Sequence, residues 1–140
     1  MCLKVNDEQT EIIRAKLQKG PQYFYKVIKP YYTSLYFGTK IPKYGWYKSD
    51  LSKDNNGIGE GLEWNCYINN YKNIPVVNQG IHVYTTYGAA YSILTSNIEI
   101  NGQQSCYLNC VIIKVKCFLK DFIAAGNEEA AFRKVLVIKK

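Results

Sequence analysis

Apolar positions in this chain follow a helical period most clearly near the start, while an alternation of polar and apolar residues marks strands farther on. Asn6 can cap a helix whose first turn holds Asp7 and Glu8, whose apolar positions include Ile12, Ile13 and Leu17, and which Gly20-Pro21 terminates. The run Tyr23-Phe24-Tyr25-Lys26-Val27-Ile28-Lys29 is aromatic and β-branched and stops at Pro30, as a strand does. Between Tyr32 and Tyr47 the residues Gly38, Pro42 and Gly45 interrupt a set of aromatics, which predicts one or two short strands separated by turns. From Ser49 to Gly61 the chain is rich in Gly, Asn and Asp and is predicted as a loop, the natural place for a lid.

Beyond a Tyr/Asn-rich middle, residues 65–79, the segment Ile81-His82-Val83-Tyr84-Thr85-Thr86 alternates as a strand, and Ala89 to Leu94 favours a short helix. Asn97-Ile98-Glu99-Ile100 followed by Asn101-Gly102 is a hairpin signal, its partner strand beginning near Gln103. In Cys110 to Phe118 the residues Val111, Ile113, Val115 and Cys117 share one face, and Ile112, Lys114 and Lys116 the other, so one side is predicted to meet the core and the other to be largely wet. A final strand, Phe132 to Ile138, follows the Gly126-Asn127-Glu128-Glu129 turn. These elements predict an α+β fold, a predominantly antiparallel sheet with one or two helices packed on it, in a single domain covering residues 1–140.

Composition narrows the class without naming an activity. At 47% hydrophobic and 21% charged residues the chain is globular in type, so disordered and collagen-like readings drop out. The polar start and the lack of a long apolar run predict neither a secretory signal nor a membrane span, hence a soluble, cytoplasmic protein without a membrane partner. Five cysteines, at 2, 66, 106, 110 and 117, contain no Cys-x-x-Cys and read as reduced thiols, with neither a disulfide framework nor a metal site. The formal charge of +7 suits an anionic partner. Only Arg14 and Arg133 are arginine, however, and abundant Lys, Asn, Ile and Tyr match AT-rich coding, common in giant viruses, phages and some protists, which weakens charge as a signal of selection.

Little in the chain suggests catalysis. His82 is the one histidine, on a predicted strand beside Tyr84, where it is either a packed or hydrogen-bonded side chain or a ligand-contacting or catalytic one. No nucleophile elbow is present, and Gly57-Ile58-Gly59-Glu60-Gly61 matches neither a dinucleotide fingerprint nor a P-loop. Glu60 and Glu63 read as solvated. Tyrosines and lysines interleave between Tyr23 and Tyr47, which is how a stacking surface for nucleotides or nucleic acid looks and also how half-buried strand tyrosines beside solvated lysines look.

Three segments together, YFYKVIKP at 23–30, GIHVYTTYGAAYSIL at 80–94 and VIIKVKCFLKDFIAAGNEEAAFRKVLVIKK at 111–140, resemble small uncharacterised proteins and domains of large DNA viruses and phages. More distantly their order is similar to the ADP-ribosyltransferase fold. That resemblance implies an NAD cleft in which Tyr91 stacks on nicotinamide, Thr85 or Thr86 approaches the adjoining ribose, and Glu128 or Glu129 stands near the acidic position. Tyr25 and Lys26 fall where those transferases place a His or Arg that grips NAD.

The expectation is therefore a small protein of viral type that binds a nucleotide-like anionic ligand, or a host or viral macromolecule, through Tyr25, Lys26, His82, Tyr84, Thr85, Tyr91 and Glu129, with no cofactor and no turnover. Nucleic acid is a variant of that reading. An NAD-dependent transferase and an assembly protein with a tyrosine-rich interface are the rivals. All ligand readings assume that the His82 strand and the first tyrosine strand are sheet neighbours walling a shared, positively biased cleft.

Overall fold

A computed structural model describes residues 3–29, 32, 40–49, 57–77, 79–96, 99–100, 103–104 and 110–138. In chain order these form β1 (Leu3–Lys4), α1 (Asp7–Gln18), β2 (Gln22–Ile28), β3 (Gly45–Lys48), β4 (Ile58–Asn65), β5 (Asn70–Val77) and β6 (Ile81–Tyr84). They continue as α2 (Tyr87–Ser96), β7 (Glu99–Ile100), β8 (Gln103–Gln104), β9 (Val111–Cys117), a 3-10 turn at Leu119–Asp121, β10 (Phe122–Ala125), β11 (Glu129–Phe132) and β12 (Lys134–Val137). The larger sheet has seven strands in the order β10-β11-β6-β2-β9-β12-β3; β1-β5-β4 and β7-β8 make two smaller sheets. Every strand pairing among the described residues is antiparallel, and with two α-helices the fold is α+β.

Helix α1 forms as its sequence dictates. The Asn6 side chain accepts from the Gln9 backbone N–H at 3.0 Å, Asp7 and Glu8 occupy the positive end of the dipole, and Ile13 and Leu17 are buried. Ile12 points outward instead. The helix also shields an edge. On β10, the outermost strand of the large sheet, Ala125 has no strand beyond it among the described residues; the Thr10 hydroxyl donates to the Ala125 carbonyl at 3.1 Å and accepts from the Ala125 N–H at 3.0 Å.

Alternation in β2, β6, β9, β11 and β12 sends Phe24, Ile28, Ile81, Val83, Ile113, Val115, Phe132, Val135 and Val137 to the face that packs against Ile13 and Leu17 of α1. Close backbone approach fixes two turns in this frame. Gly80 has φ of +96°, and a Cβ there would lie 2.8 Å from Ile123 Cδ1; a Cβ on Gly126 would lie 2.5 Å from the Lys4 carbonyl oxygen.

Several sequence expectations change. The glycine-rich Gly57–Gly61 segment is not loop: Ile58–Asn65 is β4, whose register against β5 is unbroken from Ile58↔Val77 to Asn65↔Asn70. With no Cβ, Gly61 accommodates Val76, whose Cγ1 would lie 2.9 Å from an added methyl. The final strand expected over Phe132–Ile138 is present as β12, but Phe132 ends a further strand, β11, that starts at Glu129 of the expected turn; the two part at Arg133, because β11 pairs with β6 while β12 pairs with β9 and β3. Phe122–Ala125, an apolar run without a readable period, is a strand as well. The predicted hairpin pairs Glu99↔Gln104 and Ile100↔Gln103, while its Asn101-Gly102 turn, Gly38 and most of the 49–56 loop lie outside the described residues.

Candidate functional site

The second face of the large sheet is covered unevenly. At the β10–β11 end Ala124 and Ala131 pack under Leu3 of β1 and Val77 of β5. In the middle α2 lays Ala90 and Leu94 over Val27 and Ile112, beside Tyr25 and Tyr84. Toward β12 and β3 the rings stay in contact with solvent: Tyr23 is 47% exposed and Trp46 41%.

Direct cross-strand partners set out this face in rows. One row runs Glu129–Tyr84–Tyr25–Lys114 across β11, β6, β2 and β9. The next runs Tyr23–Lys116–Leu136–Trp46 across β2, β9, β12 and β3. Beyond it Lys134 stands opposite Lys48. Lysine ammonium groups lie over the rings: Lys134 Nζ is 4.5 Å from the Trp46 ring centre and Lys114 Nζ 4.6 Å from that of Tyr23, both within cation–π range. Phe118 packs 5.5 Å from Trp46, and Lys116 and Lys120 add charge at 5.9 Å from Phe118 and 6.0 Å from Trp46. Strands β2, β3, β9 and β12 contain no Asp or Glu at all.

Tyrosines extend the aromatic surface onto the helix. Tyr25 meets Tyr87 edge-on at 5.7 Å, and Tyr87 stacks on Tyr91 at 6.1 Å with their planes 17° apart. Thr86 holds this end of α2, its hydroxyl accepting from the Ala89 N–H at 3.1 Å.

The residues singled out from sequence therefore divide. Tyr25, Tyr84 and Glu129 share one row, His82 lies on the same face opposite Ala131, and Tyr91 joins through Tyr87. Thr85 closes the strand end, its N–H donating to the Glu128 carbonyl at 2.9 Å. Lys26 is turned away: it alternates with Phe24 and Ile28 toward the α1 side, and its ammonium donates to the His82 carbonyl at 3.0 Å. The first tyrosine strand and the His82 strand are sheet neighbours as expected, through Tyr25↔Tyr84, yet adjacent strands make a continuous floor and not two facing walls.

Electrostatics remove the positive bias from the His82 end. Burial, then the nearby Lys26 charge, lowers the His82 pKa to about 4, against a hydrogen bond with the Gln79 backbone, so the imidazole is neutral at neutral pH. Burial lowers the Lys26 pKa to about 8 and raises that of the Glu129 carboxyl. Such a histidine is a weak base, and near neutrality it is not the imidazolium that a general acid requires. Among the described residues no group of three His, Cys, Asp or Glu could hold a metal ion. Cys110 and Cys117 are buried, and burial pushes the Cys117 thiol pKa up. Cys66 is a free, exposed thiol in the β4–β5 turn, and Cys2 and Cys106 lie outside the described residues.

The lysine-and-ring surface of Trp46, Lys48, Lys114, Lys116, Phe118 and Lys134 was not assembled by sequence reasoning. Its signal was the wet face already read in Lys114 and Lys116; what was missing was the register that brings β12 and β3 alongside. Compared with known proteins, the chain matches no family model, no curated protein and no solved structure.

Proposed function

We infer that this chain is a binding protein, without turnover, whose open sheet face takes an anionic ligand carrying planar rings, a nucleotide-like molecule in the broad sense. The observation that carries the reading is Lys134 Nζ seated 4.5 Å over an exposed Trp46 ring while Lys48 stands directly opposite Lys134. Two like charges in facing positions repel; the strands around them carry no carboxylate, and Asp121, which acts on Lys134 from the 3-10 turn, is buried with its carboxyl pKa raised by that burial, so an incoming phosphate gains from both lysines. The ring beneath supplies a stacking surface.

Trp46 fluorescence tests this in a Trp64→Phe background, where the one remaining indole reports on the face. Titration with adenosine and thymidine nucleotides and short oligonucleotides is expected to quench it, and Lys134→Ala to weaken the response. An unchanged spectrum with every one of these ligands overturns the reading.

A second reading, self-association, is favoured by one observation. The β4–β5 hairpin carries Leu62 at 69% exposure, Trp64 at 50%, Tyr67 at 96%, Ile68 at 61% and Tyr71 at 60%, with Trp64 and Tyr71 in edge contact at 5.2 Å. Aromatic and aliphatic groups grouped in this way mark interaction surfaces. Light scattering decides it: a stable oligomer that Leu62→Lys dissociates supports it, and a monomer at all concentrations removes it.

A further inference from the structure

We propose that the ligand of the open face is a single-stranded nucleic acid laid across β2, β9, β12 and β3, bound without sequence preference. This rests on the reading above and gives it a substrate class.

Extent comes first. Tyr23 and Trp46, the two rings that end the row Tyr23–Lys116–Leu136–Trp46, are three strand intervals apart, about 14 Å at normal sheet spacing. One nucleotide, with one ring system and its phosphate, cannot meet both rings. A strand can, because its phosphates recur every ~3.4 Å even when stacked and farther apart when extended. Each end ring already carries an ammonium, Lys114 on Tyr23 and Lys134 on Trp46. A base that stacks on the ring displaces the ammonium, which then turns to the adjoining phosphate; the cation–π contact of the free protein is exchanged for a stack and an ion pair.

Chemistry sets the specificity. Apart from the lysines, the residues of β2, β9, β12 and β3 on this face, Val27 and Ile112 under α2 included, are aromatic or aliphatic; none is the Arg, Asn, Gln, Asp or Glu whose planar ends read base edges, and lysine acts here as a point charge. Lysines supply point charges and rings supply stacking, both indifferent to base identity. A duplex keeps its bases stacked on one another and can use only the lysines. An acidic protein would likewise satisfy the charges and leave Trp46 and Tyr23 without a partner.

The test uses the full chain carrying Trp64→Phe, with a single thymidylate, oligothymidylates of increasing length, a duplex and inorganic polyphosphate as probes. Affinity is expected to rise with strand length until the face is spanned, with Trp46 quenched throughout. The logarithm of the binding constant should fall with log salt by about 0.7 for each phosphate contacted. Trp46→Ala should weaken the single strand about tenfold or more, Trp46→Phe should restore much of the loss, and polyphosphate binding should not respond to either. Joint replacement of Lys114 and Lys134 by Ala should flatten the salt dependence.

A single thymidylate that binds as tightly as the longest strand overturns the strand proposal and leaves the nucleotide-like reading standing. Duplex or polyphosphate binding equal to that of the single strand, with Trp46→Ala silent, overturns it in favour of a charge-only surface. Absence of any quenching or binding overturns both.

Discussion

Lys134 faces Lys48 directly across two antiparallel strands, on the side of the sheet where Trp46 is exposed. Opposed like charges in this position are a cost to the free protein.

Lys48→Gln relieves that cost without touching the contact between Lys134 and Trp46. The variant is expected to be more stable than the parent at low ionic strength, by a few tenths of a kcal/mol, with the gap closing as salt is added. Denaturant midpoints at low and high salt measure it; a variant less stable than the parent at low salt would show that the charges are compensated elsewhere.

Acid sensitivity has a definite window at His82. The folded protein holds the imidazole near 4 while an unfolded chain titrates near 6.5, so the unfolded state binds more protons between these values. The contribution of His82 is complete above pH 6.5 and is lost as pH falls toward 4, at a slope of at most about 1.4 kcal/mol per pH unit. Glu129 acts in the opposite sense, because a raised carboxyl pKa makes the folded state the better proton acceptor. Comparing stability against pH for the parent and His82→Asn isolates the histidine: the variant is expected to have a flatter curve across that window, and parallel curves would refute the assignment.

Lys26 tests which side of the sheet matters. Its ammonium is disfavoured by burial and lies on the α1 side, so Lys26→Met is expected to raise stability at neutral pH and leave ligand affinity unchanged. The parent should gain stability as pH rises from about 8 to 10.5, where the unfolded lysine still holds a proton that the folded one has lost; the variant should lack this gain. Loss of binding in Lys26→Met would put the site on the wrong face.

Thr10 closes the β10 edge by donating to and accepting from the same residue, Ala125. Thr10→Val keeps the shape and removes the acceptor of the Ala125 N–H, while the Ala125 carbonyl keeps the Asn6 N–H at 2.9 Å; the expected cost is about 1–3 kcal/mol, and Thr10→Ser retains most of the stability. Equal stability of the valine and serine variants in urea would contradict this role.

Local signals in the sequence were strong enough to place α1, β2, β6, α2 and β9, because each has its own cap, stop or alternation, as with Asn6 and Gly20-Pro21 around α1. Non-local ones were not. Nothing in Phe132-Arg133-Lys134 tells a reader that the chain changes partners there, and the run Phe122–Ala125 is buried at three of four positions, which erases the period of two. The glycines of β4 looked like loop because the reason for Gly61 lies across the hairpin in Val76. Tyr25, Tyr84 and Glu129 do share one cross-strand row, whereas Lys26, expected beside them, is one residue from Tyr25 and so on the other face. Trp46 and Lys134 depended on two pairings of β12 that only the folded sheet reveals.

Amide and indole correlation spectra of the isotope-labelled protein, recorded as a short oligothymidylate is added, test the central claim most directly. The account predicts shifts at the Trp46 indole N–H and along β3, β9 and β12, with α1 and the Lys26 side of the sheet unmoved. Shifts gathered instead on α1 or on the β4–β5 hairpin, or a spectrum that does not change, would contradict it.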